Sequence, residues 1–161
     1  MRRKPRIGLI FVMRSSLHRS ILKGVQAYGH GEGGWDLVLR RVEAPTATPA
    51  LRGLDGAIGY ITEHAILDAI AAAGIPYVST VLIDHPAAAW RVVNDNTAAG
   101  RMAGTHLLDC GLRSFAYVAG EPSGEAFTQR YRGLADAVGA RGLACVSYGP
   151  GLPPPDRIAA T

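Results

Sequence analysis

Cysteine is scarce in this sequence, with only Cys110 and Cys145 among 161 residues. Two thiols cannot build a disulfide framework, and both sit among apolar neighbours, so buried free thiols are expected. No apolar run approaches the roughly 20 residues that a spanning helix needs. A signal peptide is excluded as well: the apolar part of the basic start, residues 7–13, is short and stops at Arg14 without a small-residue cleavage site. A cytoplasmic location is the expectation. Nucleotide-binding loops are missing too. No Walker motif occurs, and Gly29, Gly31 and Gly34 in the run GHGEGG fall after a helix pattern and before a strand pattern, the reverse of a dinucleotide fingerprint. The true first turn, Met13-Arg14-Ser15-Ser16, has no glycine. The stretch Gly120-Glu121-Pro122-Ser123-Gly124 is not a nucleophile elbow. His106 and Cys110 lie four apart but have no second pair, so a packed core pair is read rather than a metal site. With no acid–base constellation in view, no enzyme, cofactor or metal is expected.

What the chain does have is globular. Hydrophobic residues make up 48% and charged residues 19%, enough to bury a core. The net charge is +4, and Arg2, Arg3, Lys4 and Arg6 alone carry that much. Residues 1–6 are therefore read as a solvated basic tail. A nucleic-acid arm would need a recognition helix or interleaved aromatics, and neither is seen.

Periodicity alternates between strand and helix along the chain. Strands are read at 6–12, 35–42, 56–61, 77–83, 91–93, 114–119 and Cys145–Tyr148. Between them lie helices: Leu17 to Tyr28, a short one near 50–54, His64–Ala73, the stretch after Asn96, and 128–138. Strict alternation predicts an α/β fold with a doubly wound parallel sheet. The helix after Asp95 carries Ala99, Met102, Ala103, His106, Leu107 and Cys110 at helical spacing, and that stripe is expected to face inward. Strand order restarts at Ser114. The division expected is a first lobe at 7–111 and the start of a second at 112–161.

Polar side chains gather at the expected carboxyl ends of successive strands: Arg14 and Ser15, Tyr60 and Thr62, Asn94 and Asp95, then Glu121, Gln129 and Arg130. Open α/β sheets bind ligands along that edge. Hydroxyl, amide and guanidinium groups beside a tyrosine suit a neutral, hydroxyl-rich molecule such as a sugar. Helix capping is the competing role for these residues.

The order of segments resembles the effector-sensing domain of the lactose-repressor family, which shares a two-lobed fold with periplasmic sugar-binding proteins. Within that group it is most similar to xylose-operon regulators. The resemblance rests on residues 7–12 leading into Gly24-Val25-Gln26-Ala27-Tyr28, on Trp35-Asp36, on Leu54-Asp55-Gly56-Ala57-Ile58 and on Gly74-Ile75-Pro76. It continues through Asp95-Asn96, His106-Leu107, Gly111, and Arg130 spaced before Gly133-Leu134. It implies a sugar effector, a pentose for example, held between two lobes. Met13, Arg14, Ser15, Tyr60, Val81 and Asn94 would line the first lobe's side, and Arg130 would reach ligand hydroxyls from the second. No helix-turn-helix is read in residues 1–161, so the resemblance implies a sensing module that meets DNA only through a domain outside this chain. The second lobe is only begun, which would leave bare strand edges and favour a homodimer. The rival readings are a solute-binding protein for sugar uptake and a nucleotide-dependent enzyme.

Overall fold

The computed structural model describes residues 3–11, 16–120 and 124–152. They form seven strands and five α-helices. The chain divides into two compact units, Met1–Val93 and Asn94–Thr161.

In the first unit, β1 (Arg6–Phe11), β2 (Asp36–Leu39), β3 (Gly56–Tyr60), β4 (Tyr77–Ser79) and β5 (Trp90–Arg91) make one sheet in the order β2-β1-β3-β4-β5. Every pairing is parallel. Helices α1 (Ser16–His30), α2 (Ala47–Leu51) and α3 (His64–Ala73) supply crossovers. The strand β1 is apolar on both faces, as a central parallel strand must be, and its last four residues are buried. Helix α3 turns Ile66, Leu67 and Ile70 inward and ends at Gly74, whose φ of 65° is the left-handed conformation glycine adopts without strain. These residues join Ile10, Leu51, Leu54, Ala57, Ile61, Tyr77 and Ala88 in one core cluster. Burial of each large aliphatic contributes about 1.5–3 kcal/mol.

Two expectations fail here for local reasons. The strand expected over 77–83 stops at Ser79, because Ser79 Oγ donates to the Val81 carbonyl at 2.8 Å and accepts from its N–H at 3.3 Å. That pair of bonds turns the backbone out of the ladder. Alternation also lapses between β4 and β5, where a single 3-10 turn, Pro86–Ala88, replaces a helix. His85 Nδ1 caps that turn by accepting the Ala87 N–H at 3.1 Å. The basic start is not a free tail either. Asp55 accepts the Arg6 N–H at 2.7 Å and the Arg3 guanidinium at 2.6 Å, which fastens residues 3–6 to the start of β3. Those bonds hold the Asp55 carboxyl below its ordinary value, the backbone N–H having the largest effect.

In the second unit, α4 (Asn96–Asp109) and α5 (Glu125–Gly139) pack together beside β6 (Phe115–Val118) and β7 (Cys145–Tyr148), a parallel pair. The division expected at residue 111 therefore falls at 93/94, since α4 packs with the elements that follow it. The inward stripe of α4 is also corrected. Asn96, Gly100, Gly104 and Leu108 are buried, whereas Met102 is 72% exposed and Ala99, Ala103, His106 and Cys110 face solvent. Backbone proximity is the reason. A methyl group at Gly100 would strike the Arg130 carbonyl, and one at Gly133 the Thr97 carbonyl, so only the glycine face lets the helices approach this closely. His106 and Cys110 are accordingly a surface pair, Nε2 to Sγ 3.8 Å, and Cys145 is half-buried with its thiol pushed up by burial. Both thiols are free, but neither is fully buried.

Candidate functional site

A parallel sheet whose order runs outward in both directions from its first strand has a switch point beside that strand, at the carboxyl ends. In the first unit this lies between β1 and β3, which end together at the paired residues Phe11 and Tyr60. His18, in the first turn of α1, lies at the same place. Its ring centroid is 4.4 Å from that of Tyr60, tilted by 46°, and 6.5 Å from that of Phe11. His18 and Phe11 are 8% exposed, while Tyr60 is half-buried and keeps part of its ring accessible. The result is an aromatic wall with a histidine at its back.

The next strand continues this edge. Gly59 is opposite Ser79 in the ladder, so Thr80 and Val81 leave the sheet beside Tyr60. Thr80 Oγ1 donates to the Gly59 carbonyl at 3.0 Å, and so does the Tyr77 hydroxyl at 2.9 Å. Burial pushes the Tyr77 hydroxyl up to about 12, so it stays a neutral donor. Val81 is half-buried, held by the Ser79 bonds described above. Its side chain offers the edge apolar surface and no hydrogen bond.

The remaining expected site residues fall elsewhere. Met13, Arg14 and Ser15 lie outside the described residues, as does Glu121. Asn94 and Arg130 belong to the second unit. Asn94 is exposed, and its carbonyl accepts from Asn96 Nδ2 at 3.2 Å. Asn96 is 3% exposed, and its Oδ1 accepts from Arg130 Nε at 2.8 Å. The Arg130 guanidinium also stands 5.6 Å from the centre of the Phe127 ring. Its terminal nitrogens make no hydrogen bond among the described residues, so a cation with two donors remains available. Asp95 caps α4 by accepting the Ala98 N–H at 2.8 Å, and Gln129 donates to Glu125 one helical turn away. Those two side chains serve their helices.

Of the seven expected residues, then, the first unit places Tyr60 and Val81 along one edge, and the second places Asn94 and Arg130 around Asn96. Two side chains that shape these places, His18 and Asn96, are not singled out by the sequence. His18 has no motif around it in the sequence; the available signal was its place in the first turn of α1, the helix that follows β1. Asn96 reads as a helix cap, yet its burial and its bond to Arg130 make it the residue that orients the arginine. Among the described residues, no group of three histidine, cysteine or carboxylate side chains could hold a metal ion.

No family model and no curated protein sequence matches the chain. Solved structures do. The transcription regulator CcpA of Lactococcus lactis superimposes with a TM-score of 0.75 at 17% identity, over 91% of this chain and 59% of that one. A periplasmic solute-binding protein of an ABC transporter from Actinobacillus succinogenes 130z, with bound D-allose, gives 0.71 at 19% identity over 89% and 59%. A periplasmic binding protein/LacI transcriptional regulator from Alkaliphilus metalliredigens, complexed with D-xylulofuranose, gives 0.66 at 22% identity over 90% and 57%. The chain spans a little over half the length of each of these proteins. It has the α/β fold, with parallel sheets, that LacI-type regulators share with periplasmic binding proteins.

Proposed function

We propose that this chain is the effector-sensing module of a transcriptional regulator and that its effector is a sugar. The observation that carries the reading is the wall formed by Phe11, His18 and Tyr60 at the switch point of the first sheet. A sugar ring presents an apolar face of C–H groups to the accessible part of Tyr60, and its hydroxyls take up hydrogen bonds from polar groups of the surrounding loops. Val81, which offers no hydrogen bond, favours a ligand with an apolar edge on that side, such as a pentose. The family resemblance assigns Arg130 the role of donating to ligand hydroxyls, and its terminal guanidinium nitrogens make no hydrogen bond among the described residues. The neighbours of this fold bound to D-allose and D-xylulofuranose support the ligand class.

In this reading the protein is a cytoplasmic homodimer without catalytic activity. It reaches DNA through a domain outside residues 1–161, as in xylose-operon regulators. Effector binding shifts the module between conformations by its differential affinity for them, and the DNA-binding domain reads that shift. A sugar-uptake role is the second reading, favoured by the solute-binding neighbours.

Calorimetric titration of the protein with D-xylose, D-xylulose, D-allose and D-glucose tests the proposal. One of these is expected to bind. Loss of the stack in Tyr60→Ala should weaken it about tenfold, and Arg130→Ala should weaken it separately. No heat from any sugar, or unchanged affinity in both variants, overturns the reading. Cell fractionation separates regulator from uptake protein.

A further inference from the structure

We propose a second ligand site in the first unit, at the amino edge of the five-stranded sheet, for a small phosphate monoester carrying a flat ring. A cavity of about 600 Å³ opens there, lined by Arg3, Lys4, Arg6, His30, Trp35 and Asp36, with Leu37 beside them. Small-molecule sites have volumes of roughly 300–1,000 Å³. Three cations, Arg3, Lys4 and Arg6, against the one carboxylate of Asp36 make the lining positive. Asp55 holds the Arg3 guanidinium and the Arg6 backbone N–H, and the Arg6 guanidinium stands 3.6 Å from Asp36. Arg6 Nε is buried and has no hydrogen-bond acceptor among the described residues; Asp36 Oδ2 stands at 3.6 Å, close enough to attract but too far to accept. Nε is closed off behind Asp36, but the Arg6 side chain as a whole is 39% exposed, so the rest of its guanidinium can meet a phosphate oxygen. Lys4 is exposed, has no ion-pair partner among the described residues and adds a further cation.

Trp35 supplies the other half of the recognition. It is half-buried and braced edge-on by Tyr28, ring centroids 5.1 Å apart, so its indole is a fixed wall on which a planar ring can stack. The recess favours a small molecule over a polyanion, since its cations are confined to residues 3–6 while an aromatic closes the other side. Arg6 and Asp36 begin their strands, whereas Phe11 and Tyr60 end theirs. The six residues of β1 separate the two places by about 17 Å. The second ligand therefore leaves the sugar edge free.

The test is calorimetric titration of the whole chain at low salt with adenosine 5′-monophosphate, ribose 5-phosphate and inorganic phosphate. The nucleotide is expected to bind, and the two probes without a flat ring about tenfold more weakly. Lys4→Gln, a surface change that leaves the Asp55 clamp intact, should weaken all three alike. Trp35→Leu should weaken the nucleotide and spare inorganic phosphate. Added salt should lower every affinity. No binding of the nucleotide at millimolar concentration overturns the proposal, as does binding indifferent to Lys4→Gln. Tighter binding of a DNA duplex, unchanged by Trp35→Leu, overturns it in favour of a polyanion face. Because two probes carry a pentose, the titrations are repeated in Tyr60→Ala: nucleotide binding at the amino edge is expected to be unchanged, and its loss overturns the proposal without bearing on whether a sugar binds at Tyr60.

Discussion

The two units hold their helices with opposite materials. In Met1–Val93, α3 reaches the sheet through branched and long side chains, Ile66, Leu67 and Ile70, that fill space between elements. In Asn94–Thr161, α4 meets α5 through missing side chains: Gly100, Gly104 and Gly133 let backbone approach backbone. One interface is stabilised chiefly by apolar area removed from water, the other by close dispersion contact and by the half-buried Asn96–Arg130 bond. The lesson is that apolar content along a helix does not by itself mark its buried face. Met102 is exposed and Gly100 is buried on the same helix.

The contrast can be broken from either side. Deleting atoms should hurt the first unit most. Leu67→Ala leaves a cavity at a fully buried site and is expected to cost about 2–5 kcal/mol, read by denaturant unfolding. Adding atoms should hurt the second. Gly133→Ala introduces one methyl against the Thr97 carbonyl and should cost about 1–3 kcal/mol, with amide exchange accelerating in α4 and α5. If that methyl proves neutral, the close helix approach is not what holds the unit. The smallest effect should come from Tyr77→Phe, about 1 kcal/mol, because the Gly59 carbonyl retains Thr80 as a donor. Its pH dependence sharpens the test. The folded-state value of about 12 lies above the ordinary value of 10, so this tyrosine's contribution is complete below pH 10 and is lost as pH rises toward 12. The wild type should lose stability over that window and the phenylalanine variant should lose less.

Much of the fold was legible because local signals agreed with one another. The apolar run of β1, the helix from His64 to Ala73 and its glycine stop come from periodicity and end signals that act within a few residues. The candidate site was legible in part. Tyr60 was legible because it closes a strand, and strand ends are visible in sequence; Val81 came from the family resemblance alone, since the strand was read through it to residue 83. His18 was not legible, since its role depends on α1 turning back over β3, and nothing near His18 encodes where β3 will lie. The start of the chain was misread for the same reason, as Asp55 lies 49 residues beyond Arg6.

The sequence by itself determined the α/β class and the parallel pairing that short alternating elements require. Tertiary structure alone decided which face of α4 is buried, that Arg130 is oriented by Asn96, and that the basic start folds against Asp55 beside an indole. The physical reason is range. Backbone propensity and periodicity act over a few residues, whereas a carbonyl that excludes a methyl group, or a carboxylate that captures a guanidinium, acts between segments brought together only by folding.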